Sequence, residues 1–361
     1  PEAVYYAMLM PEFTSTGMPI NWVSSNPEIL SESGLVRSPE DADAVVAMTA
    51  YVADEAMVFD ALVPKRDPAR ALLINFYFES SDLRDGKVRD YSGRGHDAQV
   101  MGNAVINGKL DLTANTDAGF ATNGYLIVPQ GVLDSLRSYT FIADINALAL
   151  EHQPRIYDFG SGSGNSVFLR TNGFGAGLKY NGGTTVIVPG KEPLATGLDY
   201  RIAVTFDAAT RTTTIVVNGE QSAQSTAITT EPYMLARVAK DARNYIGRTQ
   251  WWDANVKGDN VDFQGTIDNF RLYATALTLD EIAAVFANDG IDAPEADNDP
   301  LLSKAIVAQG EQVQVNAAGT VYVYTLSGQL VKTASGSFAA DLPTGLYIVR
   351  SSARASKLIV R

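Results

Sequence analysis

A retaining glycosidic cleavage needs two carboxylates about 5 Å apart, one acting as acid and one as nucleophile. A single strand supplies such a pair at positions two or four apart. Between residues 71 and 289 the glutamates are few (Glu79, Glu151, Glu192, Glu220, Glu231, Glu281), and none has an acid at that spacing except where a turn or a helix explains it. The motif E-x-D-x-x-E is absent. The chain holds two histidines, His96 and His152, and no cysteine. A histidine-rich metal centre and thiolate ligation are thereby excluded, and a Ser-His-Asp triad has few ways to form. Gly160-Ser161-Gly162-Ser163-Gly164 has no Gly-Lys-Ser/Thr after it and no helical pattern, so it reads as a hairpin loop and not as a phosphate cradle. These residues point away from an enzyme.

Binding chemistry is better represented. Sugars are held by aromatic faces against their C–H surface and by planar polar groups that read hydroxyls. Gln250-Trp251-Trp252-Asp253-Ala254-Asn255 offers that mixture in a loop. Adjacent tryptophans in extended chain point to opposite faces, so one of Trp251 and Trp252 is expected near solvent. Tyr180, Asn181 and Arg170 are further candidates, from a strand and a turn.

The elements that must position these groups are short strands. A chain of 361 residues exceeds one ordinary core, so two or three domains are expected. With 46% hydrophobic and 19% charged residues it can bury such cores. A formal net charge of −13 opposes binding to a phosphate backbone, which argues against nucleic acid. No apolar run is long enough to span a bilayer as a helix. Pro1-Glu2-Ala3-Val4 lacks the basic start of a signal peptide, so an exported chain is expected to have lost its signal.

Three segments follow from the changes of pattern. Residues 1–66 alternate, with Trp22 as a core candidate and a strand at Ala44 to Val52. The polar linker Pro64-Lys65-Arg66-Asp67-Pro68 leads into 71–289, where about a dozen strands fit a two-sheet jelly roll. In that segment Asn218-Gly219 supplies a type I′ turn. Thr278, Glu281, Ile282, Val285 and Phe286 give the one clear short helix. A linker rich in Asp, Asn, Gly and Pro, from Asn288 to Pro300, precedes a third alternating segment at 301–361, with four strands predicted near 321–326, 330–332, 342–350 and 356–361. The fold class is therefore all-β: a jelly-roll sandwich flanked by two small Ig-like sandwich modules.

Motifs in order carry a resemblance. Asp90-Tyr91-Ser92-Gly93-Arg94-Gly95-His96-Asp97, Tyr200 to Asp207, Thr214 to Gly219, and Tyr245 to Tyr273 with Phe263-Gln264-Gly265-Thr266-Ile267-Asp268 together resemble the laminin-G-like, concanavalin-A-like jelly rolls. Trp22, Ser25-Asn26-Pro27 and Gly34-Leu35-Val36 resemble the shortened bacterial Ig-like modules that precede such domains. Val321 to Lys332, Leu342 to Arg350 and the basic end at Arg361 resemble the C-terminal sorting domain of Bacteroidetes-type type IX secretion.

These resemblances imply a secreted or outer-membrane surface protein that binds a glycan or polysaccharide without cleaving it, as an adhesin or an accessory of a glycan-degrading system. Its C-terminal segment would engage secretion or cell-surface machinery. Trp251, Trp252, Asp253, Tyr180, Asn181 and Arg170 would then border one concave face. A structural Ca²⁺ on Asp268 and Asp90 is also implied. Two other readings stay open: a structural or protein-docking role, and a glycoside hydrolase with an unrecognised site.

Overall fold

The computed structural model describes residues 3–5, 7–116, 121–162, 164–238, 243–251, 262–288, 301–302, 304, 306–315, 320–325, 329–351 and 355–361. It is all-β and forms two compact units, Pro1–Phe286 and Ala287–Arg361. None of its helices is long and apolar enough to cross a membrane.

The first unit opens with one antiparallel three-stranded sheet, Asn21–Ser24, Ala44–Val52 and Glu55–Val63. Alternation decides its faces. Val46, Met48, Ala61 and Val63 turn inward with Leu30 to make a small core. Val23, Val45, Tyr51 and Val58 stand exposed on the other side. Trp22 is not a fully buried core residue. It is half-buried, packs beside that cluster, lies 5.9 Å from the Phe59 ring, and donates Nε1–H to the Pro11 carbonyl at 2.9 Å.

The linker is pinned. The Arg66 guanidinium makes a bidentate pair with Glu281 (2.7 and 2.6 Å) and donates to the Ala276 carbonyl at 3.0 Å. Arg137 of the jelly roll pairs with Glu231 and donates to the Ser33 carbonyl at 2.7 Å, while Leu35 packs on the jelly-roll core.

Two large antiparallel sheets follow. The front sheet runs Val186–Pro189, Gly175–Lys179, Ser166–Arg170, Arg155–Gly160, Arg243–Ile246, Tyr125–Val128, Ala98–Met101, Lys87–Val88 and Leu83–Arg84. The back sheet runs Glu220–Ser225, Thr212–Val217, Asp199–Asp207, Tyr139–Ala147, Gly265–Tyr273, Leu110–Asp111 and Val105–Ile106, with Leu72–Phe76 also paired to Gly265–Tyr273. Between them lies an aromatic core: Tyr157 and Phe159 of the front sheet meet Phe141 and Phe270 of the back sheet, with Phe141 and Tyr157 stacked at 3.9 Å.

The expected turn at Asn218-Gly219 is present, both residues having positive φ (51° and 87°) with Val217 opposite Glu220. The helix forms over Leu279–Asn288 and covers Ile142, Ala203, Val216 and Tyr273 on the outer side of the back sheet. Thr278 and Glu281 cap it reciprocally. The short helix Tyr233–Val238 has no counterpart in the sequence reading.

The second unit is a five-stranded sheet, Ile306–Val307, Ala355–Val360, Gly345–Arg350, Thr320–Thr325 and Leu330–Ser335, beside a two-stranded pair, Gln312–Val313 and Phe338–Ala339. Its own core includes Val321, Val323, Tyr347, Val349 and Leu358.

Candidate ligand site on the outer face of the front sheet

In Ser166–Arg170, and in Arg155–Gly160 beyond the register shift that follows Arg155 and leaves Ile156 in the core, odd and even positions part company. Tyr157, Phe159, Val167 and Leu169 belong to the core between the sheets. Asp158 and Phe168 are register partners, as are Asp158 and Tyr245, and the period of two puts them on the outer face with Ser166 and Arg170. Phe168 lies flat there because its neighbour is Gly177: a Cβ at that position would meet the Phe168 ring at 2.3 Å. The Arg155 guanidinium covers the same ring at 4.2 Å.

The face is polar yet closed. Asp158 is 0% exposed and Arg155 1%. Asp158 Oδ2 accepts from the backbone N–H of Gln250 at 2.9 Å and lies 3.8 Å from Arg155 Nε. The Gln250 amide donates to the Asp158 and Arg243 carbonyls and accepts from the Gly162 N–H, which fixes the chain leading into Trp251. Trp251 is half-buried, with Lys179 Nζ 4.5 Å from its ring centroid. Alongside, Tyr245 meets Tyr125 edge-on at 5.5 Å, Arg248 lies 3.7 Å over Tyr125, and Arg248 holds Asp262 in a buried bidentate pair (2.9 and 2.7 Å).

Burial sets the charges. Desolvation pushes the Asp158 carboxyl up to about 6, with Arg155 foremost among the groups that pull it back. Desolvation brings Arg155 down to about 10, with Asp158 opposing and the Arg170 charge adding to the fall. Among the described residues Arg155 Nε and Trp251 Nε1 lack hydrogen-bond partners, while Ser166 and Thr249 turn their hydroxyls to the buried Asp158 carboxylate. Buried polar groups are almost always satisfied, so the unpaired Arg155 and Trp251 N–H groups stand out, and of these two residues only Trp251 is partly exposed.

Of the residues expected from sequence, Trp251 and Arg170 belong to this face. Tyr180 is half-buried and Asn181 exposed, in the turn after Gly175–Lys179, where the Asn181 N–H donates to Asn165 Oδ1 at 2.6 Å. Trp252 and Asp253 lie outside the described residues. Arg155, Asp158, Ser166 and Lys179 escaped the sequence reading, although the alternation Arg155-Ile156-Tyr157-Asp158-Phe159 places Asp158 opposite a core position.

Asp90 and Asp268 are placed elsewhere. Asp90 Oδ1 accepts from the N–H groups of Asn75 and Ser92, and Oδ2 from the Ser92 hydroxyl and the His96 N–H, so its lone pairs are filled by the turn it organises. His96 Nδ1 in turn lies 2.7 Å from the Leu73 carbonyl. Asp268 sits opposite Asp144 across the back sheet, at a bulge where Asn269 has φ 47°. Burial raises its carboxyl to about 7, the Asn269 N–H opposing and the charges of Asp144 and Glu79 adding to the rise. Asp144 itself is held by both prongs of Arg201 at 2.8 Å. Among the described residues no three His, Cys, Asp or Glu side chains are grouped to hold a metal ion. His152 lies in a loop with φ 64°.

Solved structures that resemble this chain include domain 4 of AbnA, an extracellular arabinanase of Geobacillus stearothermophilus, in complex with arabinotriose (17% identity, 59% of this chain and 97% of that one, TM-score 0.45). Others are the binding domain of botulinum neurotoxin serotype D/C (13%, 81% and 74%, TM-score 0.46) and Trypanosoma rangeli sialidase in complex with sialic acid (14%, 70% and 44%, TM-score 0.44). No curated protein matches the chain. Residues 1–60 match the family described as the atrophied bacterial Ig domain, and residues 120–283 match the concanavalin A-like lectin/glucanases superfamily. The chain therefore carries an atrophied bacterial Ig domain at its N-terminus followed by a laminin-G-like, concanavalin-A-like domain.

Proposed function

We propose that this is a non-catalytic carbohydrate-binding protein, exported or displayed at the cell surface, where it serves adhesion or accompanies glycan-degrading enzymes. The observation that carries the reading is the outer face of the front sheet. There the partly exposed Trp251, Lys179 and Arg170 share one face, the mixture of apolar ring and directed polar group that a sugar requires. The match of 120–283 to a lectin and glucanase superfamily supports it by fold analogy. Binding is favoured over hydrolysis because, among the described residues, Arg155 and no second carboxylate is the charged group acting on Asp158, whereas glycosidic cleavage needs two carboxyl groups. Export rests on the sorting-like sequence of 301–361.

Calorimetric titration of the full chain against a panel of plant, host and bacterial oligosaccharides tests the reading. At least one is expected to bind, and Trp251→Ala is expected to weaken it about tenfold or more, since loss of one stacked aromatic removes on the order of 1–2 kcal/mol. Unchanged affinity in a Trp251→Ala variant with wild-type circular dichroism would refute the site.

A further inference from the structure

The Ig-like module has one three-stranded sheet where an Ig sandwich has two sheets, and the inner face of that sheet is only partly covered. Leu30, Val46, Met48, Ala61 and Val63 close one end of it. Toward the other end Phe59 and Met57, cross-strand partners of Met48 and Ala50, stay exposed on the same face. The jelly roll stands beside this gap without filling it, through Ser135, Arg137 and the helix Tyr233–Val238. Two adjoining cavities result, of about 350 and 670 Å³, and Trp22 and Met8 line both. Each lies within the roughly 300–1,000 Å³ of small-ligand pockets. The smaller one carries the chemistry. Its module wall presents Trp22, Glu12, Asn21 and Glu32, and its jelly-roll wall Tyr233 and Arg237. Glu12, Asn21, Glu32 and Arg237 are exposed and Trp22 and Tyr233 half-buried, so a ligand in the cavity can reach all six. Arg137 ties the walls together through Glu231 on one side and the Ser33 carbonyl on the other, which sets their spacing before any ligand enters. The Trp22 indole is anchored by its bond to the Pro11 carbonyl. Arg237 lies over the Tyr233 ring at 4.8 Å, and among the described residues neither it nor the carboxylates of Glu12 and Glu32 have an ion-pair partner.

We propose that this seam between the Ig-like module and the jelly roll is a second saccharide site, and that it takes an uncharged sugar. The ligand class rests on the glycan-binding reading above, whereas the place is independent of the front-sheet face. Trp22 supplies the apolar ring for the C–H surface of a sugar. The Glu12 and Glu32 carboxylates accept from hydroxyls, the Arg237 guanidinium donates to them, and the Asn21 amide does both. Planar groups with charge make the stronger hydrogen bonds of this kind. The mixture of signs selects against charged ligands: an anion meets Glu12 and Glu32, and a cation meets Arg237 and Arg137.

The experiment is calorimetric titration of the full chain carrying Trp251→Ala, which removes the aromatic ring of the front-sheet site. The probes are arabinotriose, cellotetraose, lactose and N-acetylchitotriose, with sialyllactose as the anionic counterpart of lactose and the glucosamine trimer as the cationic counterpart of N-acetylchitotriose. The expected result is that at least one uncharged oligosaccharide binds this variant, at one site per chain and more tightly than any charged counterpart. Adding Arg237→Ala or Glu32→Ala is expected to weaken that binding at least about fivefold. Both residues are exposed, so these substitutions are expected to leave the fold intact by circular dichroism. Binding by the parent chain that Trp251→Ala abolishes confines the sugar to the front sheet and overturns the seam site while the glycan-binding reading stands. Folded Arg237→Ala and Glu32→Ala variants that bind as tightly as the Trp251→Ala chain overturn it as well. Tighter binding of sialyllactose than of lactose, or of the glucosamine trimer than of its N-acetylated counterpart, overturns the uncharged assignment. Silence of the parent chain toward every oligosaccharide here and in the wider panel overturns both readings.

Discussion

At the scale of single residues, the buried carboxylates tie stability to pH. Asp268 carries a carboxyl raised from an ordinary value of 3.8 to about 7, chiefly because burial disfavours its charge. Between those values the folded chain binds more protons than the unfolded one, so unfolding free energy falls as pH rises through this window. Asp158, raised to about 6 by the same cause, acts in the same direction over its own narrower window. Asp268→Asn keeps an oxygen for the Asn269 N–H and removes the charge facing Asp144. At pH 8 this variant is expected to be more stable than the parent by roughly 2 kcal/mol, allowing for partial solvent screening, and its stability is expected to change less between pH 5 and 8. Chemical denaturation at a series of pH values measures both. A variant less stable at pH 8, or an unaltered slope, would mean that the Asp268 charge is stabilised by contacts other than those described.

Among the elements, the strand Gly175–Lys179 shows how a missing side chain shapes a face. Gly in a strand interior ordinarily weakens it, so replacement by Ala is ordinarily neutral or favourable. At Gly177 the sign is expected to reverse, because a Cβ would meet Phe168 at 2.3 Å and Ile187 Cδ1 at 2.7 Å. Gly177→Ala is expected to cost about 1–3 kcal/mol as Phe168 is forced off the sheet toward Arg155. Urea unfolding reads this as a lower midpoint at unchanged slope. The strands Asp199–Asp207, Thr212–Val217 and Gly265–Tyr273 were legible in the sequence as Tyr200 to Asp207, Thr214 to Gly219 and Phe263 to Tyr273, whereas Gly175–Lys179, Gly-Ala-Gly-Leu-Lys, carries no alternation and was not. The short strands at Leu83–Arg84, Lys87–Val88 and Val105–Ile106 were not, since two residues carry no periodicity. Nor was the six-residue helix Tyr233–Val238, which is too short to show a stripe.

For the whole molecule, the Ig-like module and the jelly roll are coupled through Arg66–Glu281 and through Arg137, which reaches both Glu231 and the Ser33 carbonyl. Chain 1–286 is therefore expected to unfold in one transition and to bind the ligand as the full chain does. A fragment that begins at residue 71 loses these partners and is expected to melt several degrees lower. Scanning calorimetry of the two fragments checks this, and equal melting temperatures would show that the module contributes nothing to the jelly roll.

Composition, alternation and turn residues by themselves determined that the chain is an all-β protein with a jelly roll, because these signals are local: a period of two, an Asn-Gly turn, a capped helix. They also selected Trp251 and Arg170, whose chemistry suits a sugar whatever surrounds them. Only the tertiary structure decided that Asp158 and Arg155 are buried on an outer face, that Arg155 Nε and Trp251 Nε1 lack partners there, and that both Asp90 oxygens hold a turn. Burial and partnership arise where strands distant in sequence come together, as when Gln250 closes over Asp158 across 92 residues, and no local pattern encodes that meeting.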